Sequence, residues 1–540
     1  MHRKIPDFLG QGFFLKVDLT MDRIKRIFKI ISKLLFNRII YVVIAVVLQV
    51  GWSVMLAMRL AAYSAYINVA ISIGSILIIF LVLNREMNPS YKLLWTLLIL
   101  GLPVFGLVVY LLAGESKRYS IIQRKYSHAI ELSAWNTEED PETRNRLKRV
   151  NANANRQSQY IRNVAKAPVW QHTTAEYFRL GDDLFPVLVE ELRKASHFIF
   201  MEYFIINEGY MWETILEILV QKVKEGVDVR LIYDDFGCMT TLPVRYYEKL
   251  RGFGIRCEVF NPFRLIANIV HNNRDHRKLC IIDGYVAFTG GINLADEYIN
   301  RRHRFGNWKD TAVLLKGDAV WNMTEMFLQM WTTVCHDAPD DSIDGFRPHT
   351  WHPDPFPGEG FIQPFGDSPL DNDEVGENVY LSILSQAQKY VYICTPYLIV
   401  DNEMMVALCL AARSGVDVRI ITPGIPDKKL VFMLTQSYYT QLLKAGVRIY
   451  KYQPGFLHAK SFVCDDSIAV CGTINLDFRS LYLHFEDGVW MYGTHTVLDI
   501  RDDFLRTLPD CEEETLEACL NRNLFVRGMQ SVMRVIAPLI

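Results

Sequence analysis

The chain has 540 residues, half of them hydrophobic and 12% aromatic, enough for several domains with substantial cores. A net charge of −2 excludes a protein that coats nucleic acid, which needs a basic excess, and the slightly positive mean hydropathy is high for an enzyme wholly in water. Ten cysteines, all beyond residue 230, include no CxxC pair and no Cys/His cluster with zinc spacing, so they read as buried free thiols.

Residues 1–38 carry nine Lys and Arg against three Asp. Ile24, Ile27, Phe28, Ile31, Leu34 and Leu35 recur among them at helical spacing, which predicts a basic amphipathic leader lying on an anionic membrane surface. Residues 39–114 hold three uncharged apolar segments, at about 39–58, 67–83 and 93–113. Each approaches the roughly 20 residues that a bilayer-spanning helix needs, so this is a membrane region of about three helices. The leader places the amino terminus in the cytoplasm. Lys117, Arg118, Arg124 and Lys125, after the third segment, and the lack of a disulfide pattern favour the same side for the rest of the chain.

Polar residues 115–165, with Asn-rich stretches, read as a linker. Over 166–335, helical stretches (183–194, 212–225) alternate with short apolar runs (198–206, 227–232), the pattern of a sheet covered by helices. Residues 336–375, rich in Asp, Pro and Gly, read as an inter-domain connection, and the α/β pattern resumes over 376–540. The second α/β stretch repeats the first. Gly226-Val-Asp-Val-Arg230 recurs as Gly415-Val-Asp-Val-Arg419, Gly254-Ile-Arg256 as Gly446-Val-Arg448, and Asn293-Leu as Asn475-Leu, in one order and at nearly constant offset. This half of the chain is a tandem duplication.

Each repeat carries H-x-K-x-x-x-x-D: His276, Lys278 and Asp283 in the first, His458, Lys460 and Asp465 in the second. On a strand, positions i and i+2 face the same way, so each motif presents an imidazole and an ammonium together. Asn293 and Asn475 end the apolar run that follows, where an adjacent strand brings them back beside the pair. Two half-sites meeting across a pseudo-two-fold give two His, two Lys and two Asn around one cavity. That set suits a phosphodiester. Lys and Asn donors neutralise the non-bridging oxygens, one His attacks phosphorus, and the other protonates the departing oxygen and later deprotonates an incoming alcohol. No metal and no cofactor is required.

These paired motifs resemble the phospholipase D superfamily, and the chain from about residue 70 onward resembles the bacterial cardiolipin synthases. Glu202-Tyr-Phe, Thr395-Pro-Tyr397, Gly360-Phe-Ile-Gln363 and Ala537-Pro-Leu-Ile540 add to the likeness, while residues 1–60 have no counterpart in it. The resemblance implies an α/β fold of tandem phospholipase-D-like α/β/α domains with pseudo-two-fold symmetry and one shared active site, preceded by transmembrane helices. It implies that Asp310 and Glu486 orient the active histidines, that Asp283 and Asp465 are supporting residues, and that His276 is the nucleophile and His458 the general acid/base. It further implies a multi-pass enzyme of the bacterial cell membrane that passes a phosphatidyl group from one phosphatidylglycerol to another. The products are cardiolipin and glycerol, with no nucleic acid partner. The alternatives are a phospholipase D-type hydrolase or a transphosphatidylase using another headgroup, a nuclease, and a non-catalytic scaffold; the oligomeric state stays open.

Overall fold

The computed structural model describes residues 51, 54–55, 65–103, 105–107, 110, 117–134, 139–262, 273–335, 343–371 and 373–539. The basic leader, nearly all of the first apolar segment and part of the third lie outside them. Two compact units are present, and the fold below is that of the larger, residues 71–263 and 268–540.

Helix α1 (Ala65–Leu83) and helix α2 (Pro89–Gly101) are apolar and joined by a tight turn. Asn88 caps α2 by accepting from the Ser90 N–H, and Pro89 starts the helix where its missing N–H costs nothing. Val82 and Ile99 are buried together, while Ile73, Leu77, Phe80 and Leu81 on α1 and Leu93, Leu97 and Leu100 on α2 are exposed. Among the described residues no helix is long and apolar enough to cross a membrane.

The reading of 115–165 as a linker is corrected: it holds helices α3 (Lys117–Ala134), α4 (Pro141–Val150) and α5 (Ala152–Val164). The polar residues that read as loop are caps. Asp140 accepts from the Glu142 and Thr143 N–H groups, and Asn151 from those of Asn153 and Ala154. All three pack on the α/β body. Tyr126 of α3 meets Phe485 edge-on at 5.1 Å, and Gln157 of α5 accepts from the Trp490 indole at 3.0 Å.

The first repeat comprises β1 (Thr173–Phe178), α6 (Gly181–Lys194), β2 (Phe198–Tyr203), α7 (Tyr210–Lys224), β3 (Asp228–Asp234), β4 (Arg256–Phe260), β5 (Arg274–Asp275), β6 (Lys278–Ile282), β7 (Val286–Gly290), β8 (Asn307–Lys309) and β9 (Ala312–Gly317), closed by α8 (Val320–Val334). The second includes β10 (Phe361–Asp367), β11 (Tyr390–Cys394), β12 (Leu398–Ile399), β13 (Asp417–Pro423), β14 (Arg448–Tyr452), β15 (Gly455–Leu457), β16 (Ser461–Cys464), β17 (Ile468–Gly472), β18 (Leu476–Asp477), α9 (Phe478–Tyr482), β19 (His484–Tyr492), β20 (Cys511–Glu514) and α10 (Leu524–Val535), with further helices over Val375–Gln386, Asn402–Arg413, Lys429–Ala445 and His495–Thr507. One sheet runs β1-β9-β7-β6-β2-β3-β4 and the other β10-β19-β17-β16-β11-β13-β14-β20, the same order with one added edge strand. Strand β10 lies inside the 336–375 segment read as a connection. Pro364 hid it; an edge strand tolerates proline where the missing N–H would point away from its one neighbouring strand, here β19.

Side chains of β2 and β6 alternate between two cores, as strand period requires. Ile199, Met201, Cys280 and Ile282 face α6 and α7, whereas Phe198, Phe200, Leu279 and Ile281 face α8 and a core shared with Val463, Phe485 and Met491 of the second repeat. This shared core holds the two sheets together.

Candidate active site

Two short ladders cross between the repeats. β5 pairs in parallel with the start of β19, and β15 pairs in parallel with β8. Each ladder seats one motif histidine on the other repeat: the His276 N–H donates to the Phe485 carbonyl at 2.9 Å, and the His458 N–H to the Lys309 carbonyl at 2.7 Å. The next residue along the partner strand is a carboxylate. Glu486 lies 2.9 Å from His276 Nδ1, and Asp310 lies 2.6 Å from His458 Nδ1. Each histidine is thus oriented by the opposite repeat. The approach of Asp310 leaves no room beside it: a Cβ on Gly291 would stand 1.9 Å from its Oδ1. Lys278 and Lys460 each donate to the carbonyl of their own motif histidine, and both ammonium groups are buried.

Burial is the largest influence on every group here. It lowers the proton affinity of His276 well below the ordinary value and that of His458 to about 4. Each neutral ring gives its Nδ1–H to a carboxylate and keeps the Nε2 lone pair for chemistry. Burial alone would raise Glu486, but its electrostatic interaction and hydrogen bond with the His276 ring outweigh it and hold the carboxyl well below the usual range. Lys278 falls to about 8 and Lys460 to about 7 through burial, and Lys278 is near enough to His458 to depress it further. A lowered lysine loses its charge as pH rises through that value, so phosphate binding weakens above about pH 7–8. The kcat/KM for an anionic phosphodiester is expected to fall on that alkaline limb. Lys460→Arg, which stays charged, moves the limb upward in a pH-rate profile even if the maximal rate drops.

Asp283 and Asp465, expected from the motif as supporting residues, bond to backbone N–H groups and not to the histidines. Asp283 follows the far end of β6, about 17 Å along the strand from Lys278. It accepts from the Ser196, His197 and Phe198 N–H groups at 2.8–2.9 Å, and Asp465 does the same for Gln388, Lys389 and Tyr390 at 2.7–2.8 Å. Each tethers the start of a central strand to a hairpin whose first residue it places at φ near +50°. Asp283→Ala is expected to cost about 2–4 kcal/mol of stability in urea unfolding, with turnover per folded molecule nearly intact.

Asn293 is committed within the protein: its Oδ1 accepts from the Ile205 N–H at 2.9 Å and its amide donates to the Tyr298 hydroxyl at 2.8 Å. Asn475 keeps a buried Oδ1 with no partner. Its N–H donates to Ser480 Oγ at 2.9 Å, and that hydroxyl donates to Glu486 at 2.5 Å.

Several residues of the site escaped the sequence reading. Arg277, the middle residue of the first motif, is fully buried and paired with Glu202 at 2.7 Å. Tyr298 and Trp308 stand beside His458, with ring centroids 5.7 and 5.4 Å away, and His484 stands 5.5 Å from His276. Tyr298 and Ser480 both lie five residues after the motif Asn, a spacing that could have found them. His276, His484 and Glu486 bring ligand-type atoms within 4.8 Å of one another, but the carboxylate is already taken by His276 and Ser480, and Lys278 supplies positive charge.

Comparison with known proteins places this geometry. The family described as "Cardiolipin synthase, PLD-like domain" matches residues 188–331 and 380–508, and "Phospholipase_D-nuclease N-terminal" matches residues 72–115. An uncharacterized protein of Streptococcus mutans is 44% identical over 469 residues, covering 87% of this chain and all of that one. A cardiolipin synthase of a Geobacillus species is 32% identical over 476 residues, covering 88% of this chain and 94% of its own length. Cardiolipin synthase 2 of Bacillus anthracis is 33% identical over 473 residues, with coverage of 87% and 90%. Among solved structures, phosphatidylserine synthase of Haemophilus influenzae shares the fold, with a TM-score of 0.52 at 15% identity over 71% of this chain and 97% of that one. Two crossed histidine–carboxylate pairs in a duplicated α/β body, aligned nearly end to end with these relatives, make the chain a member of the bacterial cardiolipin synthases, phosphatidyltransferases of the phospholipase D superfamily.

Proposed function

We propose that the protein joins two phosphatidylglycerol molecules into cardiolipin and releases glycerol. The observation that carries this reading is the pair of buried histidines, each with Nδ1 on the other repeat's carboxylate, in a chain of this family. One neutral imidazole attacks the phosphorus of the first lipid through Nε2. The other enters protonated, because an anionic phosphodiester between the rings raises their affinity for a proton. It gives that proton to the departing glycerol oxygen. The phosphatidyl group stays on the first histidine as a phosphohistidine. A hydroxyl of the second lipid then loses its proton to the acid/base histidine and attacks phosphorus, and the P–N bond breaks. One phosphodiester replaces another, so no nucleotide is consumed. Lys278 and Lys460 balance the charge on the non-bridging oxygens.

The substrate lives in a bilayer, and the apolar hairpin supports delivery from it. Asn88, in the turn between α1 and α2, donates to Asp401 at 3.1 Å and to the Tyr482 hydroxyl at 2.8 Å. Tyr91 sits edge-on against Phe478 and Tyr482 of α9, the helix whose Ser480 holds Glu486. The apolar region of residues 39–114 is read as holding the protein on the bacterial cell membrane, with the duplicated half on the cytoplasmic side and lipid entering beside α9.

Purified protein given phosphatidylglycerol in detergent is expected to yield cardiolipin and glycerol in equal amounts. Phosphatidic acid as the sole lipid product would overturn the synthase reading in favour of a hydrolase. Transfer to another alcohol, such as ethanolamine, in preference to phosphatidylglycerol would make it a different transphosphatidylase.

A further inference from the structure

Helix α10 (Leu524–Val535) faces the wrong way for a helix on a body in water. Such a helix buries its apolar stripe and exposes its polar one. Along α10 and one residue past it, Leu524, Phe525, Met529, Val532, Val535 and Ile536 are all exposed, Leu524 by 80%, Phe525 by 75% and Val532 by 60%. With 3.6 residues per turn these positions share one side of the helix. The side that packs on the helix over Lys429–Ala445 is narrow and partly polar. It buries Gln530 and Met533; the Gln530 amide donates to the Met433 carbonyl at 3.1 Å, and the Arg534 guanidinium lies 4.4 Å from the Tyr438 ring centroid. Arg527 and Arg534, seven residues apart, run along the flank between the packed side and the apolar stripe. An exposed apolar stripe of this size marks a surface that meets something other than water.

Position and charge identify what that is. The turn Ala537–Leu539 that follows α10 packs beside α2, and Leu93 of α2 lines one cavity of about 210 Å³ with Arg534, Val535 and Pro538. The exposed stripe of α10 thus lies next to the exposed Leu93, Leu97 and Leu100 of the apolar hairpin. Residues 521–540 carry three arginines and no Asp or Glu, in a chain whose net charge is −2. A basic flank beside an apolar stripe is the pattern of a helix that lies in the interface of an anionic bilayer, where long arginine side chains reach up to the phosphates. We propose that α10 is a second membrane contact, its apolar stripe sunk into the headgroup and acyl boundary of an anionic bilayer and Arg527 and Arg534 set against lipid phosphates. This rests on the reading that the hairpin sits at the membrane, and extends it to the carboxyl-terminal end of the duplicated body. Between the two contacts stands α9. Its Phe478 and Tyr482 meet Tyr91 of α2, its Arg479 donates to the Leu539 carbonyl at 3.2 Å, and its Ser480 holds Glu486. Two contacts, one on either side of α9, fix the tilt of the body on the bilayer, which a single hairpin leaves free.

The test places a photoreactive side chain on each surface of the full chain. Benzoylphenylalanine replaces Phe525 of α10, Leu97 of α2 or, as a control, the exposed Glu217 of α7. The protein is reconstituted in vesicles of phosphatidylglycerol and a neutral phospholipid, both with labelled acyl chains, and irradiated. Labelled lipid on position 525 and not on position 217 supports the proposal. Label on position 97 with none on position 525 overturns it and leaves the hairpin reading intact. Label on position 525 with none on position 97 supports it while the hairpin reading fails, and label on neither overturns both. A crosslink from position 525 to a second polypeptide in place of lipid makes this face a protein interface and overturns the proposal. A second measurement compares settings. The double variant Phe525→Asp/Val532→Asp is expected to keep its rate of lipid turnover within about twofold in detergent micelles and to lose at least about fivefold in phosphatidylglycerol vesicles, because charge has entered the buried stripe. An equal loss in both settings, or no loss in vesicles, overturns the proposal.

Discussion

Replacing either His276 or His458 with alanine is expected to lower phosphatidyl transfer by a factor of at least about a thousand, with the double variant scarcely worse than either single one. The two rings act as one unit on one phosphorus, so the second loss removes little that the first has left. Both are buried, and the rest of the site remains to bind lipid, so KM for phosphatidylglycerol changes far less than kcat. The single variants should also differ from each other. The variant that lacks the nucleophile forms no covalent adduct, whereas the one that lacks the acid/base accumulates an adduct slowly and then stalls, because the acceptor hydroxyl has lost its base. Alanine variants that retain more than about a tenth of the wild-type rate would remove these residues from the reaction.

The second large effect is expected from the carboxylates. Glu486→Gln and Asp310→Asn preserve shape while replacing an acceptor with a group that can also donate. An amide that donates to Nδ1 pushes the ring proton onto Nε2, where it blocks the lone pair that the chemistry needs. A loss in kcat of about a hundred- to ten-thousandfold is expected for each, by the logic of an orienting carboxylate behind a catalytic imidazole. Stability is expected to fall by no more than about 3–5 kcal/mol, since each carboxylate balances the buried Lys278 and Lys460. Steady-state kinetics beside urea unfolding curves separate the two outcomes. Inactivation that tracks a fall in unfolding midpoint would leave these residues as scaffold only.

Much of this site was legible from spacing. The duplication, the shared cavity and the pairing of His with Lys on one strand face follow from period-two geometry and two copies of one motif. Asp310 and Glu486 were named only through resemblance, because the ladder that carries each to the opposite histidine is a tertiary event with no local signal. His484 and Trp308 went unseen for a different reason. They occupy equivalent positions but are chemically unlike, so matching identical residues between repeats passes over them, although a position two before each carboxylate on a strand faces the same way. The third and fourth positions after each Lys gave no warning that the motif Asp faces backward to tether another strand. Residues 117–164 were misread because their polar, Asn-rich stretches were taken as loop, although Asp140 and Asn151 are helix caps, and β10 because Pro364 is permitted at a sheet edge.

The crossed ladders also constrain ancestry and assembly. A chain with a single repeat would hold a histidine whose carboxylate lies on the same chain but faces outward, out of its own reach. It could complete a site only by meeting an identical copy across a true two-fold axis, each protomer lending its acid to the other. Duplication within one chain turns that dimer into an intramolecular contact and frees the two acids and their flanking residues to diverge. Glu486 with His484 on one side, and Asp310 with Trp308 on the other, are what such freedom permits, and no symmetric dimer could hold them.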